Sequence, residues 1–321
     1  MRDPIYGRMC PKHARSDRRN GTMEIDVLSD AVAAVTTAPA LSVHIRARAP
    51  WGLRFGGRRG FGFHVIVRGE CLLHCGGARS VLLRAGDVVL MPSGAEHTLA
   101  DPGDAEPLDL VVDRRVDRVS IGGDGAETIV VSGAYRIEPG TRHPLLAGLP
   151  EVVHLSGPRQ DRLAAAVALL GAEIQAHDPG GDAVVAALVD ALLIYILRAW
   201  HDGNSTGWTA AMADKAIGHI LHRMHAHPAE PWTVDRLAGE IGVARATFTR
   251  RFTRLVGEPP LTYLTRWRMI TAARLLRRDR TPLVVVARQV GYSSQFAFAK
   301  AFKREFGIAP GAYRRDIRTD P

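Results

Sequence analysis

Only three of 321 residues are cysteine, Cys10, Cys71 and Cys75. That is too few to staple a small secreted fold, and it places the chain in a reducing compartment. Long charge-free apolar runs are absent as well. The most apolar stretch, Ala183 to Trp200, contains Asp190 and Arg198, so it reads as a buried or dimerising helix and not as a membrane span. The N-terminus is polar, without the apolar core of a secretory signal. A cytoplasmic chain with no membrane partner is therefore expected. Acidic residues are scarce too, 33 against 42 Lys and Arg, for a net charge of +9. The shortage is local: from Pro228 to the end there are 18 Lys and Arg but 8 Asp and Glu, so the remainder is close to neutral. A basic segment of this kind fits a polyanionic partner such as nucleic acid. A membrane surface would require a wide apolar helix face, whereas the helical runs here are short and punctuated by turns.

The basic segment, Pro231 to Tyr313, reads as two helix-turn-helix units in tandem. In the first, Val234, Leu237, Ala238 and Ile241 form a one-faced helix after the N-cap Thr233, and Gly242 breaks it. A second helix follows with Phe248, Phe252 and Leu255 inward, closed by Gly257 and Pro259-Pro260. Phe248, Phe252, Gly257 and Pro260 recur 50 residues later as Phe298, Phe302, Gly307 and Pro310. Four positions matched in register argue for a duplicated unit. With the Phe pairs inward, the opposite faces carry Ala246, Thr249, Arg250 and Thr253 in one copy, and Phe296, Ala299, Lys300 and Lys303 in the other. Arg and Gln can make bidentate contacts to base edges, and an outward Phe can touch a thymine methyl. Ser294 and Gln295 open the second helix, a position whose amides suit phosphate.

Residues 214–315 resemble the DNA-binding domain of the AraC/XylS transcriptional regulators, most specifically in the run GYSSQFAFAKAFKREFG followed by Pro310 and YRR. The resemblance implies a linker helix, Pro260 to Arg278, wedged between the units on Leu261, Leu264, Trp267, Ile270 and Leu276. It further implies DNA contacts from Arg245, Ala246, Thr249 and Arg250 in the first reading helix, and from Ser294, Gln295, Phe296, Ala299 and Lys300 in the second. One departure is visible. Ala244 stands where the family commonly has Ser, which removes a cap and predicts slightly weaker helix initiation.

Between Leu41 and Leu155 the pattern changes to short β-type runs separated by Gly and Pro, as in a barrel or sandwich. The stretch Gly86 to His97 fits Gly-x5-Pro-x-Gly-x2-His and resembles the second motif of cupin barrels. The first motif is degraded, with Gly62 where a ligand would stand, His64 remaining and Glu70 spaced too far on. His64 and His97 are expected to face each other inside the barrel. Two ligands rarely close a metal site, so Glu70, His74, Cys71 or Cys75 would have to supply the rest, and a pocket or hydrogen-bonding role for the histidines is the stronger reading. Trp51, His64 and His97 are the candidate ligand-binding residues, with Phe55, Phe61 and Phe63 either lining a pocket or filling the core. Cys71 and Cys75 share a strand run, where a direct disulfide is geometrically poor. Buried small hydrophobes are their plain reading, and redox sensing the sharper one.

Asp161–Gln175 and Ala183–Trp200 form a helical hairpin for packing on the barrel or on a second subunit, and His201–Trp208 reads as a linker. Residues 1–22 are read as disordered, with Met23 a candidate true start. The expected fold is α+β and multidomain: a cupin-like β-barrel sensor (23–155), a helical connector (156–208) and an all-α double helix-turn-helix domain (209–321). The expected function is a homodimeric transcription regulator, without catalysis or cofactor, that binds double-stranded promoter DNA, works with RNA polymerase as an activator and responds to a small-molecule effector or redox signal. A cupin-type metal-dependent enzyme with an accessory nucleic-acid-binding domain is the alternative.

Overall fold

A computed structural model of the chain describes residues 26–36, 40–57, 60–76, 80–103, 105–111, 116–137, 148–157, 161–176, 178–203, 207–278 and 280–316. The expected disordered tail and the start at Met23 lie outside these residues. The first element is the helix α1, Val27–Val35, N-capped by Asp26, whose carboxylate accepts from the Leu28 and Ser29 amides. Eleven strands follow among the described residues, numbered β1 (Leu41–Arg48), β2 (Gly52–Phe55), β3 (Gly60–Arg68), β4 (Glu70–Cys75), β5 (Val81–Arg84), β6 (Val88–Met91), β7 (His97–Ala100), β8 (Leu108–Asp109), β9 (Val116–Gly122), β10 (Glu127–Arg136) and β11 (Val153–Leu155). They form two sheets, ordered β11-β6-β3-β10-β1-β9 and β5-β4-β7-β2-β8. The cupin-like barrel expected from the sequence is thus a double-sheet arrangement, not one hydrogen-bonded cylinder. Pairing is antiparallel except β1 with β9 and β2 with β8.

Strand alternation sorts side chains into two cores. Val43, Ile45, Ile66, Val89, Met91 and Val130 of the larger sheet meet Trp51, Leu53, Cys71, Leu73, Cys75, Leu83 and Leu99 of the smaller one. On the other face of the larger sheet, Phe61, Phe63, Val65, Leu90, Val131 and Tyr135 pack under the helical hairpin α2 (Asp161–Ala176) and α3 (Gly181–Gly203). Gly133 permits this close approach, because a Cβ there would lie 2.7 Å from the Phe63 ring and 3.0 Å from Val189. Helix α3 is long and apolar enough to cross a membrane by length and composition. It instead buries Val185, Val189, Leu192, Leu193, Ile196 and Leu197 in this core. Its one mid-helix acid, Asp190, accepts from the Tyr135 hydroxyl at 3.1 Å.

The hairpin was expected to end at Trp200 and give way to a linker. The helix continues through Gly203, and a new one, α4 (Gly207–Ala213), begins four residues later; residues 204–206 lie outside the described set. Next come α5 (Lys215–Ala226), α6 (Val234–Glu240), α7 (Arg245–Val256), α8 (Pro260–Arg278), α9 (Leu283–Gln289), α10 (Gln295–Phe306) and α11 (Pro310–Asp316).

Candidate nucleic-acid interface and sensor interior

The two helix-turn-helix units repeat each other in backbone detail. Helices α6 and α7 make the first, α9 and α10 the second. Gly242 and Gly291 take φ of +66° and +85° at the tight turns, and Gly257 and Gly307 close α7 and α10 in the left-handed region. Glycine suits all four because a Cβ disfavours positive φ. Phe248 and Phe252 in α7, and Phe298 and Phe302 in α10, are fully buried. That fixes which faces look outward.

On α7 the outward face is Arg245, Ala246, Thr249, Arg250, Thr253 and Arg254, which together line a shallow open depression. Arg250 and Ala246 are exposed. Arg245 is engaged, its Nη1 2.9 Å from Asp235 of α6, and the Thr249 hydroxyl donates back to the Arg245 carbonyl at 2.9 Å. On α10, Gln295, Phe296 and Lys300 are exposed and Ala299 half-buried, with Phe296 at 81% the most exposed large apolar side chain of the described residues. Ser294 caps α10, accepting from the Ala297 amide at 3.4 Å; Ala244, its counterpart at α7, has no side-chain cap.

Helix α8 spans the expected Pro260–Arg278, but one of its wedge residues is different. Leu261 is 40% exposed, and Tyr263 is buried in its place, two residues on and on the opposite side of the helix. Leu264, Trp267, Ile270 and Leu276 are buried as expected.

Inside the double sheet His64 of β3 and His97 of β7 meet, Nε2 to Nε2 at 2.7 Å. His64 Nδ1 lies 2.7 Å from Ser132 Oγ, and His97 Nδ1 lies 2.8 Å from the Ala95 carbonyl. Since a carbonyl only accepts, His97 carries its proton on Nδ1 and accepts at Nε2. His64 then donates from Nε2 and accepts from the Ser132 hydroxyl, so both rings are neutral. Burial lowers both pKa values, that of the fully buried His64 well below the ordinary range, with the neighbouring His97 adding to the effect. The Phe55 ring stacks on His97 at 4.9 Å and meets His64 edge-on at 4.7 Å.

The other sensor candidates are not brought to this pair. Glu70 alternates onto the outer face of β4, half-exposed near Arg84, and so cannot complete a metal site with the histidines. No group of three or more metal-ligating side chains exists among the described residues. Trp51 is buried in the same inter-sheet core, but it lies four residues before Phe55, about 13 Å along an extended chain. Cys71 and Cys75 are free and buried. Burial, aided by Asp87 and Glu70, pushes the Cys71 thiol up to about 12, and burial also raises Cys75. Burial thus disfavours the thiolate, the nucleophile on which redox sensing relies.

A family model described as Cupin matches residues 26–202, and one described as Helix-turn-helix domain matches residues 237–316. A putative AraC-like transcription regulator from Streptomyces antibioticus is 33% identical over 300 residues, covering 91% of this chain and 99% of the relative. The chain belongs to the AraC-like transcription regulators. The RCS-specific HTH-type transcriptional activator RclR of Escherichia coli (strain K12) is 29% identical over 80% of this chain and 84% of its own length. Among solved structures, the DNA-binding domain of AdpA in complex with a target DNA is 33% identical over 32% of this chain and 92% of that chain, with a TM-score of 0.31.

In this AraC-like regulator two features escaped sequence reasoning. Ser132 sits in an apolar strand run, and its inward phase with Val130 was the available signal. The docking of α1 onto the DNA-reading half had none. Leu28 and Ala31 of α1 share one buried core with Ile217, Ile220, Leu221 and Met224 of α5 and with Phe248 and Phe252 of α7. The Asp30 carboxylate lies 3.9 Å from His225 Nδ1, and His225 stacks on Trp267 of α8 at 3.6 Å.

Proposed function

We propose that the chain is a cytoplasmic, sequence-specific transcription regulator that reads double-stranded promoter DNA with α7 and α10. Arg245, Ala246, Thr249 and Arg250 contact one major-groove segment; Ser294, Gln295, Phe296, Ala299 and Lys300 contact the next. The observation that carries this reading is the exposed Phe296 on a helix whose opposite face is a fully buried Phe pair. A solvated helix gains nothing from such a side chain, whereas a groove-facing one can cover a thymine methyl. Arg250, exposed and without an ion pair among the described residues, is free for a guanine edge, while Arg245 must leave Asp235 to reach a phosphate.

The division of labour we infer is a sensor at 23–155, a connector at 156–208 whose hairpin pairs two subunits, and a reader at 209–321 that brings RNA polymerase to the promoter. The sensor takes a small organic effector between its sheets, with Trp51, His64 and His97 as candidate contacts; the buried thiols favour this over a redox signal. Action without catalysis is part of this reading, and its support is that the relatives the chain matches are named transcription regulators. An effector that favours one packing of α1 against α5 and α8 would shift the DNA-competent population.

The test is a mobility shift of the full chain on DNA flanking its own gene against random DNA at physiological salt. Preference of about a thousandfold is the expected result for a specific regulator. Equal binding to both, with and without a metabolite panel, refutes the reading.

A further inference from the structure

The two units do not share an apolar core. Tyr263 and Leu264, in the first half of α8, cluster with Leu237, Phe248 and Phe252 of the first unit. Met269, Ala272, Ala273 and Leu276, in the second half, cluster with Val286, Phe298 and Phe302 of the second. Apolar packing therefore ties each unit to its own end of α8. At the middle of the helix Trp267 and Ile270 are buried in a small cluster of their own, and beside them polar contacts run from one unit to the other.

Two arginines make the crossing. Arg266 donates from Nη1 to Glu258 at 3.2 Å, and its Nε stands 3.3 Å from Glu305 in ion-pair geometry. Glu258 directly follows the glycine that closes α7, and Glu305 lies in the last turn of α10. One guanidinium thus holds the C-terminal ends of both reading helices. Arg268 donates to the carbonyls of Pro228 at 2.7 Å and Glu230 at 2.8 Å, in the turn that leads into α6. Its other side faces the turn of the second unit: a Cβ on Gly291 would lie 2.9 Å from Arg268 Nη2 and 3.0 Å from Ala229 Cα. The guanidinium also lies 6.0 Å from the Tyr292 ring centroid. Both contacts are partly buried, and a planar fork serving two elements at once cannot be replaced by an ammonium.

We propose that Arg266 and Arg268 are positioning residues that set the distance and angle between the two reading helices, and so fix the half-site spacing the protein accepts. Neither needs to touch DNA. The proposal rests on both units reading DNA, and its first test is independent of that. Nitroxide labels at Arg254→Cys and Lys303→Cys, in a full-length Cys10→Ser chain, report the distance between α7 and α10. A narrow distribution is expected for the parent, and one at least twice as wide for Arg266→Gln combined with Arg268→Gln. Equal widths overturn the proposal.

The second test uses a duplex selected by the parent chain from a random pool, then altered by one base pair between its half-sites. The parent should lose at least tenfold in affinity and the double variant less than threefold; equal penalties overturn the proposal. The ratio cancels the general loss caused by removing positive charge. If no two-part site emerges, two-unit reading fails while the label distances still decide the clamp. Should the double variant melt at room temperature, the single Arg266→Lys variant replaces it in both measurements. It keeps the charge but reaches one carboxylate only, and a narrow distribution with full spacing penalty would then count against the idea.

Discussion

The duplication supplies an internal experiment on helix capping. Ala244 and Ser294 occupy equivalent N-cap positions, 50 residues apart, both with extended backbone: φ −65°, ψ 144° and φ −118°, ψ 124°. Ser294 accepts from the amide three residues on, whereas Ala244 leaves the matching Thr247 amide without a side-chain acceptor. Ala244 is exposed, so a serine there meets no packing conflict. Serine in place of alanine at an N-cap contributes about 1 kcal/mol. The Ser294 contact is long at 3.4 Å, so its removal should cost less, on the order of 0.5 kcal/mol. Hydrogen exchange read by mass spectrometry on full-length protein is the suitable assay, because local opening is compared between two helices of one molecule. In Ala244→Ser, peptides covering α7 should exchange about fivefold more slowly, the factor that corresponds to ~1 kcal/mol, with α10 unchanged. In Ser294→Ala, α10 should exchange faster and α7 stay as it was. Ala244→Val adds bulk without an acceptor and should give no protection. Equal protection from Val and Ser would refute the capping argument.

The buried histidine pair gives the sensor a definite pH response. Because both folded pKa values lie below the ordinary value of about 6.5, the folded state binds fewer protons than the unfolded one. Their contribution is therefore fully present above about pH 6.5 and lost as pH falls through the folded values. Thermal melts from pH 8 to 5 should show a falling midpoint, with a shallower fall in His97→Phe; parallel curves would exclude the pair as the source. Iodoacetamide at pH 8 should leave Cys71 and Cys75 unmodified in the native chain, and rapid labelling of either would restore the redox reading. Arg250→Ala should weaken binding to the selected duplex by roughly 1–3 kcal/mol if the guanidinium reads a base. An equal loss on random DNA would instead make it a phosphate contact.

Much of the reader half was legible because its signals are local. Helix period, the Phe pairs, the closing glycines and the missing cap at Ala244 all lie within a few residues of what they determine. The bounds of α8 came with the family resemblance, and only Leu261 was misplaced, because an apolar side chain at the first turn need not face the core. The sensor half was legible as strands and as a cupin motif, yet β7, β9 and β11 were not separately visible, being short or polar on one face.

The sequence by itself determined the apolar faces of the reader helices, the tandem repeat, the family resemblance, and the meeting of His64 with His97 that the cupin resemblance implied. Tertiary structure alone decided that Glu70 faces outward and that the Ala95 carbonyl, acting through His97, sets the His64 tautomer that accepts from Ser132. It alone decided, too, that α1 docks on the reader and that Arg266 and Arg268 bridge the two units. The physical reason is range. A cap, a turn or an amphipathic face is fixed by neighbours a few bonds away, but pairing partners such as Arg266 with Glu305, or His225 with Asp30, are far apart in sequence. Their side chains carry no periodic mark of whom they will meet, and only the packed chain brings them together.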